Sequence, residues 1–162
     1  MTQILGSMHR SDGTAGVVRV EDVYDTDIAD LWSALTTPDR LARWMADVQG
    51  ELSAGGTFQA RFTSSWEGTG RIDVCDAPHR LLVTLSPGTD EENTIEANLS
   101  AEGDKTRLVI VERGLPLETI HFHGAGWQSH IEDLRHYLGG GESHWKERWE
   151  ELTPSYAAMP VE

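Results

Sequence analysis

Glu112 and His130 are the two side chains best placed to do chemistry in apolar surroundings. Glu112 ends the run Leu108-Val109-Ile110-Val111-Glu112, in step with Leu108 and Ile110 on a strand whose side chains alternate. A carboxylate on an inward face is costly to ionise, which suits a general acid or base or a ligand anchor. The structural alternative is a salt bridge to Arg61 or Arg71 on neighbouring strands. His130 lies beside a helical stripe made by Trp127, Ile131, Leu134 and Leu138. It reads either as a polar contact or proton carrier at a cavity mouth, or as a plain helix-edge histidine. His121 and His123 stand two apart, a spacing that suits metal binding on a strand better than on a helix, and they need a third ligand such as His130. No metal is therefore assigned. Cys75 has no histidine or basic cluster beside it and reads as inert. There is no Gly-x-Ser-x-Gly elbow, and Gly139-Gly140-Gly141 follows a helix instead of opening one, so no phosphate loop is present. Nothing here calls for a cofactor.

The remaining candidates are apolar. Six tryptophans stand in 162 residues. Trp44, Trp66 and Trp127, with Phe58 and Phe62, could form the aromatic wall of a small-molecule pocket, although simple core packing would use the same residues. Trp32 reads as core.

These side chains need elements to position them. Val17 to Tyr24 alternates as a strand, and Asp25-Thr26-Asp27 offers N-cap oxygens to a helix carrying Ile28, Leu31, Trp32 and Leu35. Pro38 divides it from a second short helix over Asp39 to Met45. Strand-sized runs follow: Thr57 to Phe62, Trp66 to Cys75, Arg80 to Leu85, Asn93 to Ala101 and Thr106 to Glu112. Gly68 and Gly70 mark a bulge or a close backbone approach, and Glu102-Gly103-Asp104-Lys105 a hairpin turn. Short turns between successive strands imply an antiparallel meander. A final helix from about Ile120 to Leu138 would be roughly 27 Å long, enough to cross five or six strands about 4.8 Å apart. Trp145, Trp149 and Leu152 recur at helical spacing beyond it, and Pro154 and Pro160 are expected to limit order in the tail.

A chain of 162 residues is long enough to bury about 70% of its unfolded surface as one domain. No apolar run approaches the roughly 18 residues of a membrane span. Residues 1–16 lack a signal-peptide pattern and read as a flexible tail, within which Met8 offers an alternative start. A single cysteine fits a reducing cytoplasm, and cytoplasmic is the expected location. The net charge of −14 argues against a nucleic-acid partner, because that field repels phosphates.

Four local patterns together resemble the START-like, or SRPBCC, superfamily. Within it they look most like the branch named after activators of the heat-shock-protein-90 ATPase. The patterns are Ile28-Ala29-Asp30-Leu31-Trp32-Ser33-Ala34-Leu35-Thr36 after an apolar strand, Pro38-Asp39-Arg40-Leu41-Ala42-Arg43-Trp44, Gly55-Gly56-Thr57-Phe58, and Gly114-Leu115-Pro116 followed by Gly126-Trp127. The resemblance implies an α+β helix-grip fold: a curved antiparallel sheet of about six to seven strands around a long C-terminal helix, with two short helices after strand 1. The domain would span 17–139, and 140–162 would form an extension with a short amphipathic helix. It also implies a cavity between sheet and helix that takes an apolar or amphipathic small molecule. The expected wall is Trp44, Phe58, Phe62, Ile72, Leu82, Ile110, Trp127, Ile131 and Leu134, with Glu112 and His130 as polar contacts. Two other readings stand beside this one. One is a cyclase- or dehydratase-type enzyme using Glu112 or His130. The other is a protein-interaction or co-chaperone-like module whose Trp145, Trp149 and Leu152 stripe forms a homodimer or partner surface.

Overall fold

The computed structural model describes residues 3–162. Eight antiparallel strands form one sheet. In chain order the elements are β1 (Gly6–Arg10), β2 (Ala15–Tyr24), α1 (Ile28–Thr36), α2 (Pro38–Leu41), β3 (Ala46–Gly50), β4 (Thr57–Phe62), β5 (Glu67–Asp76), β6 (Arg80–Leu85), β7 (Asn93–Glu102), β8 (Lys105–Pro116), α3 (Ile120–Leu138) and α4 (Trp145–Ala157). The strand order is β1-β2-β8-β7-β6-β5-β4-β3. From β3 to β8 each strand pairs with the next, as short turns require. The segment holding α1 and α2 is the one long connection, carrying the chain from β2 to the far edge of the sheet. The sheet and α3 share a continuous core that includes Val18, Val20, Leu108, Ile110, Ile131 and Leu134. This is the α+β helix-grip architecture, with one strand more than the upper expectation.

Local chemistry explains most boundaries. Asp27 caps α1 by accepting from the Asp30 amide at 2.8 Å. Pro38 opens α2, which is a single turn and not the longer helix expected to Met45. The chain turns over Ala42 to Met45 and enters β3, which sequence reasoning missed. Only one of its five residues is buried, so ADVQG shows no alternation of apolar side chains. In β5, Phe58 lies across Gly70 so closely that a Cβ there would come within 2.2 Å of the ring. The close approach expected of Gly68 and Gly70 is thus an aromatic ring lying over bare backbone.

Two terminal expectations are corrected. Residues 6–10, assigned to a flexible tail, form β1 against β2, and Met8 is buried in the core. The run is too short and mixed to show a strand period. The C-terminal extension is likewise ordered. Pro154 lies inside α4 and does not end it. Beyond α4, Glu162 donates to the Met8 carbonyl and accepts from the Arg10 amide, covering the free edge of β1.

Candidate functional site: an aromatic cavity closed by the last helix

A cavity of about 360 Å³ lies between the sheet, the N-terminal half of α3 and the start of α4. Its size falls in the range of roughly 300–1,000 Å³ common for small-molecule sites. The sheet contributes Phe62, Leu85, Asn93, Ile95 and Glu112, and the β4–β5 turn contributes Ser64, Ser65 and Trp66. α3 supplies Phe122, His123, Gly126, Trp127 and His130, and α4 supplies Trp145 and Trp149. Six aromatic side chains therefore surround the space. Trp145 and Trp149 stack with centroids 5.6 Å apart, and Phe62 meets Trp66 edge-on at 5.4 Å.

Glu112 reaches the cavity because strand alternation puts it on the inner face with Leu108 and Ile110. It is 5% exposed, and its Oε1 accepts from the Trp127 indole at 2.8 Å. His123 Nδ1 stands 3.6 Å from the same oxygen. Arg61 and Arg71 do not reach it. They pair with Glu67 and Asp73 on β5. Among the described residues Oε2 has no hydrogen-bond partner, and it is not fully shut off from solvent.

His130 is 4% exposed and boxed by rings: Phe62 at 6.0 Å, Trp127 at 5.3 Å and Trp145 at 5.5 Å between centroids. Burial lowers its pKa to about 3, against a smaller upward pull from a hydrogen bond to the Trp44 backbone. The imidazole is thus neutral at neutral pH. Its Nδ1 is a buried atom without a partner. Asn93 Oδ1, on a residue lining the same cavity, is a second buried atom without a partner.

Of the expected wall, Phe62, Trp127, Glu112 and His130 line the cavity, and so does Trp66. Trp44, Phe58, Ile72, Ile110, Ile131 and Leu134 are buried in the packed core instead. Trp44, for example, is 1% exposed and donates its indole N–H to the Ala34 carbonyl. Side chains fill the far end of the space between sheet and helix, leaving the cavity at one end only. Leu82 is a correction. It pairs with Glu96, whose carboxylate bridges Arg80 and Arg113 on the outer face. Leu81 and Val83 are its inward neighbours. A continuous apolar run gives no parity with which to choose between faces. The bulge between Ile72 and Val74 likewise sets Val74 opposite Leu82.

Sequence reasoning missed Asn93, Ile95, Leu85 and the α4 tryptophans as wall residues. Asn93 was accessible in principle, since it shares the parity of Ile95, Ala97 and Leu99. The α4 stripe was legible as a stripe, but its partner was not. It packs on α3 of the same chain. Trp145 donates to the Gly126 carbonyl at 3.0 Å and Trp149 to the Phe122 carbonyl at 3.1 Å, while Leu152 and Tyr156 are fully buried. Gly124 makes room, because a Cβ there would lie 2.5 Å from the Tyr156 ring. Asp133 caps the start of α4 by accepting from the Ser143 hydroxyl and the His144 amide. Gln128, fully buried, ties three segments together. Its Oε1 accepts from the Tyr156 hydroxyl and the Leu5 amide, and its Nε2 donates to the Gln3 carbonyl and Glu132.

His121 and His123 do not converge: the first packs against the Phe122 ring and the second faces Glu112. No helix is long and apolar enough to cross a membrane among the described residues.

A sheet curled over one long helix, with an aromatic cavity at one end, defines the helix-grip class of architecture. The profile of the family described as "Activator of Hsp90 ATPase homolog 1-like protein" matches residues 25–139, and the chain belongs to this family. The match ends at Gly139, so α4 and its two cavity tryptophans lie outside the matched region. No curated protein matches the chain. Among solved structures it is similar to CalU16 from Micromonospora echinospora, with 25% identity, TM-score 0.77 and coverage of 94% of this chain and 95% of that one. DynU16, from the dynemicin biosynthetic locus, is 23% identical with TM-score 0.70. That match covers 78% of this chain and 48% of DynU16, so it spans about half of the larger protein. EF2215 from Enterococcus faecalis, a conserved protein of unknown function, shares the fold at 18% identity, TM-score 0.76 and coverage of 94% and 88%.

Proposed function

We propose that the protein binds an apolar or amphipathic small molecule in the cavity between the sheet, α3 and α4. The observation that carries this reading is the lining itself: six aromatic side chains around about 360 Å³, with buried polar atoms that have no partner in the protein. Burying ligand surface against such walls contributes roughly 25 cal/mol per Å² before association costs. Similarity to proteins such as DynU16, from a biosynthetic locus, fits a role in handling an organic product. The test is native mass spectrometry of the protein purified from its own host, with extraction of whatever is bound. A stoichiometric organic adduct, lost when Trp127 and Trp145 are both replaced by alanine in a folded variant, is the expected result. An adduct that survives those replacements would place the ligand elsewhere.

A second reading is enzymatic, of the cyclase or dehydratase type. It draws on the Glu112–His123 pair, because a carboxylate beside an imidazole can relay a proton. His130 is a poor candidate for that task, since an imidazole with a pKa near 3 neither holds nor readily takes a proton at neutral pH. Turnover that falls far more than affinity in Glu112→Gln would favour the enzyme. The partner-module reading loses its surface, because α4 turns its apolar stripe inward and Phe122 is the one exposed large hydrophobic side chain among the described residues.

A further inference from the structure

Two acceptors on the cavity lining have no donor: Glu112 Oε2 and the buried Asn93 Oδ1. The donors that could have answered them are engaged elsewhere. The indoles of Trp127, Trp145 and Trp149 donate to Glu112 Oε1, the Gly126 carbonyl and the Phe122 carbonyl. The other donors on the lining are the Trp66 indole, the Ser64 and Ser65 hydroxyls in the β4–β5 turn, the second N–H of the Asn93 amide, the His130 ring N–H and the His123 ring, whose nearest approach is to the other oxygen of Glu112. The two acceptors are also neighbours. Glu112 sits directly opposite Ile95, two residues from Asn93 on the same face of β7. Trp127 connects Glu112 by its hydrogen bond to His130 by ring contact.

We propose that this cavity selects a protonated amine carried on a flat apolar body, its ammonium held by Glu112 and its body lying between the aromatic walls. The inference rests on the small-molecule reading above and names the ligand's head group. An ammonium supplies N–H donors to acceptors that otherwise stay unpaired, and unpaired buried acceptors are expensive. It makes a charge-assisted bond with the carboxylate and gains from the faces of the surrounding indoles. A carboxylate or phosphate ligand would set its own acceptors against those of Glu112 and Asn93. The net charge of −14 draws cations toward the protein and repels anions.

The test compares three probes with one apolar body: 1-naphthylmethylamine, 1-naphthalenemethanol and 1-naphthoate. Binding to the full chain at neutral pH is read by calorimetry and by quenching of tryptophan fluorescence. The amine is expected to bind at least about tenfold tighter than the alcohol, and the naphthoate weakest. Glu112→Gln, which keeps an acceptor for the Trp127 indole, should bring the amine's affinity down toward that of the alcohol. If the naphthoate or the alcohol equals the amine in the unaltered protein, the head-group inference is overturned while the cavity reading stands. Should none of the three bind or quench, both fail. An amine preference that persists in Glu112→Gln would also overturn the assignment of the head group to Glu112.

Discussion

His130 is a neutral imidazole because burial among three aromatic rings leaves its charged form poorly solvated. Its folded pKa of about 3 lies below the ordinary value of 6.5. Between those values the unfolded chain binds a proton that the folded chain does not. The stability this gives is complete above about pH 6.5 and is lost as the pH falls toward 3. Chemical denaturation of His130→Leu across that window should show a shallower loss than the unaltered protein; parallel curves would mean that His130 is solvated. Trp127 and Glu112 raise a related issue of satisfaction. Trp127→Phe keeps the ring but leaves the carboxylate without its indole donor, which should cost about 1–3 kcal/mol, measured as a shift in the urea midpoint.

At the scale of elements, α4 decides whether the cavity is a pocket or an open groove. It is held by the Asp133 cap, by two indole N–H bonds to α3 and by Leu152 and Tyr156 packed where Gly124 leaves space. Leu152→Ala should destabilise the fold by about 2–5 kcal/mol, the usual range for emptying a fully buried leucine site. Replacing Trp145 and Trp149 together by alanine removes one wall and two stacked rings. The expected outcome is weaker binding of an apolar probe with no change of mass on a sizing column. A changed mass would return α4 to the role of an intermolecular surface. The strands themselves were readable where one face is wet and the other dry, as in β7 and β8. They were unreadable where the period is absent: β3, β1 and the continuous run that misled the placement of Leu82.

For the whole molecule, the sheet is closed at one edge by its own terminus and filled at one end by its own core. The free volume is thereby confined to the other end, under α4. A ligand that binds only this folded arrangement must stabilise it by mass action, by about 2.7 kcal/mol at a hundredfold excess over its Kd. The melting temperature should therefore rise with ligand concentration; a ligand that leaves it flat does not bind the folded chain in preference to the unfolded one.

The residue types and their periods determined the order of most strands and helices, the length of α3, the inward placement of Glu112 and the presence of a second apolar helix beyond the glycines. Those features follow from local alternation and helical spacing, which the chain carries in its own order. Tertiary structure alone decided which aromatic residues face empty space and which face each other. It also turned the α4 stripe inward, and it left Asn93 Oδ1 and His130 Nδ1 without partners. The reason is physical: a period fixes the side of an element a residue occupies, but cavity, core and orphaned acceptor depend on what a distant segment places opposite it.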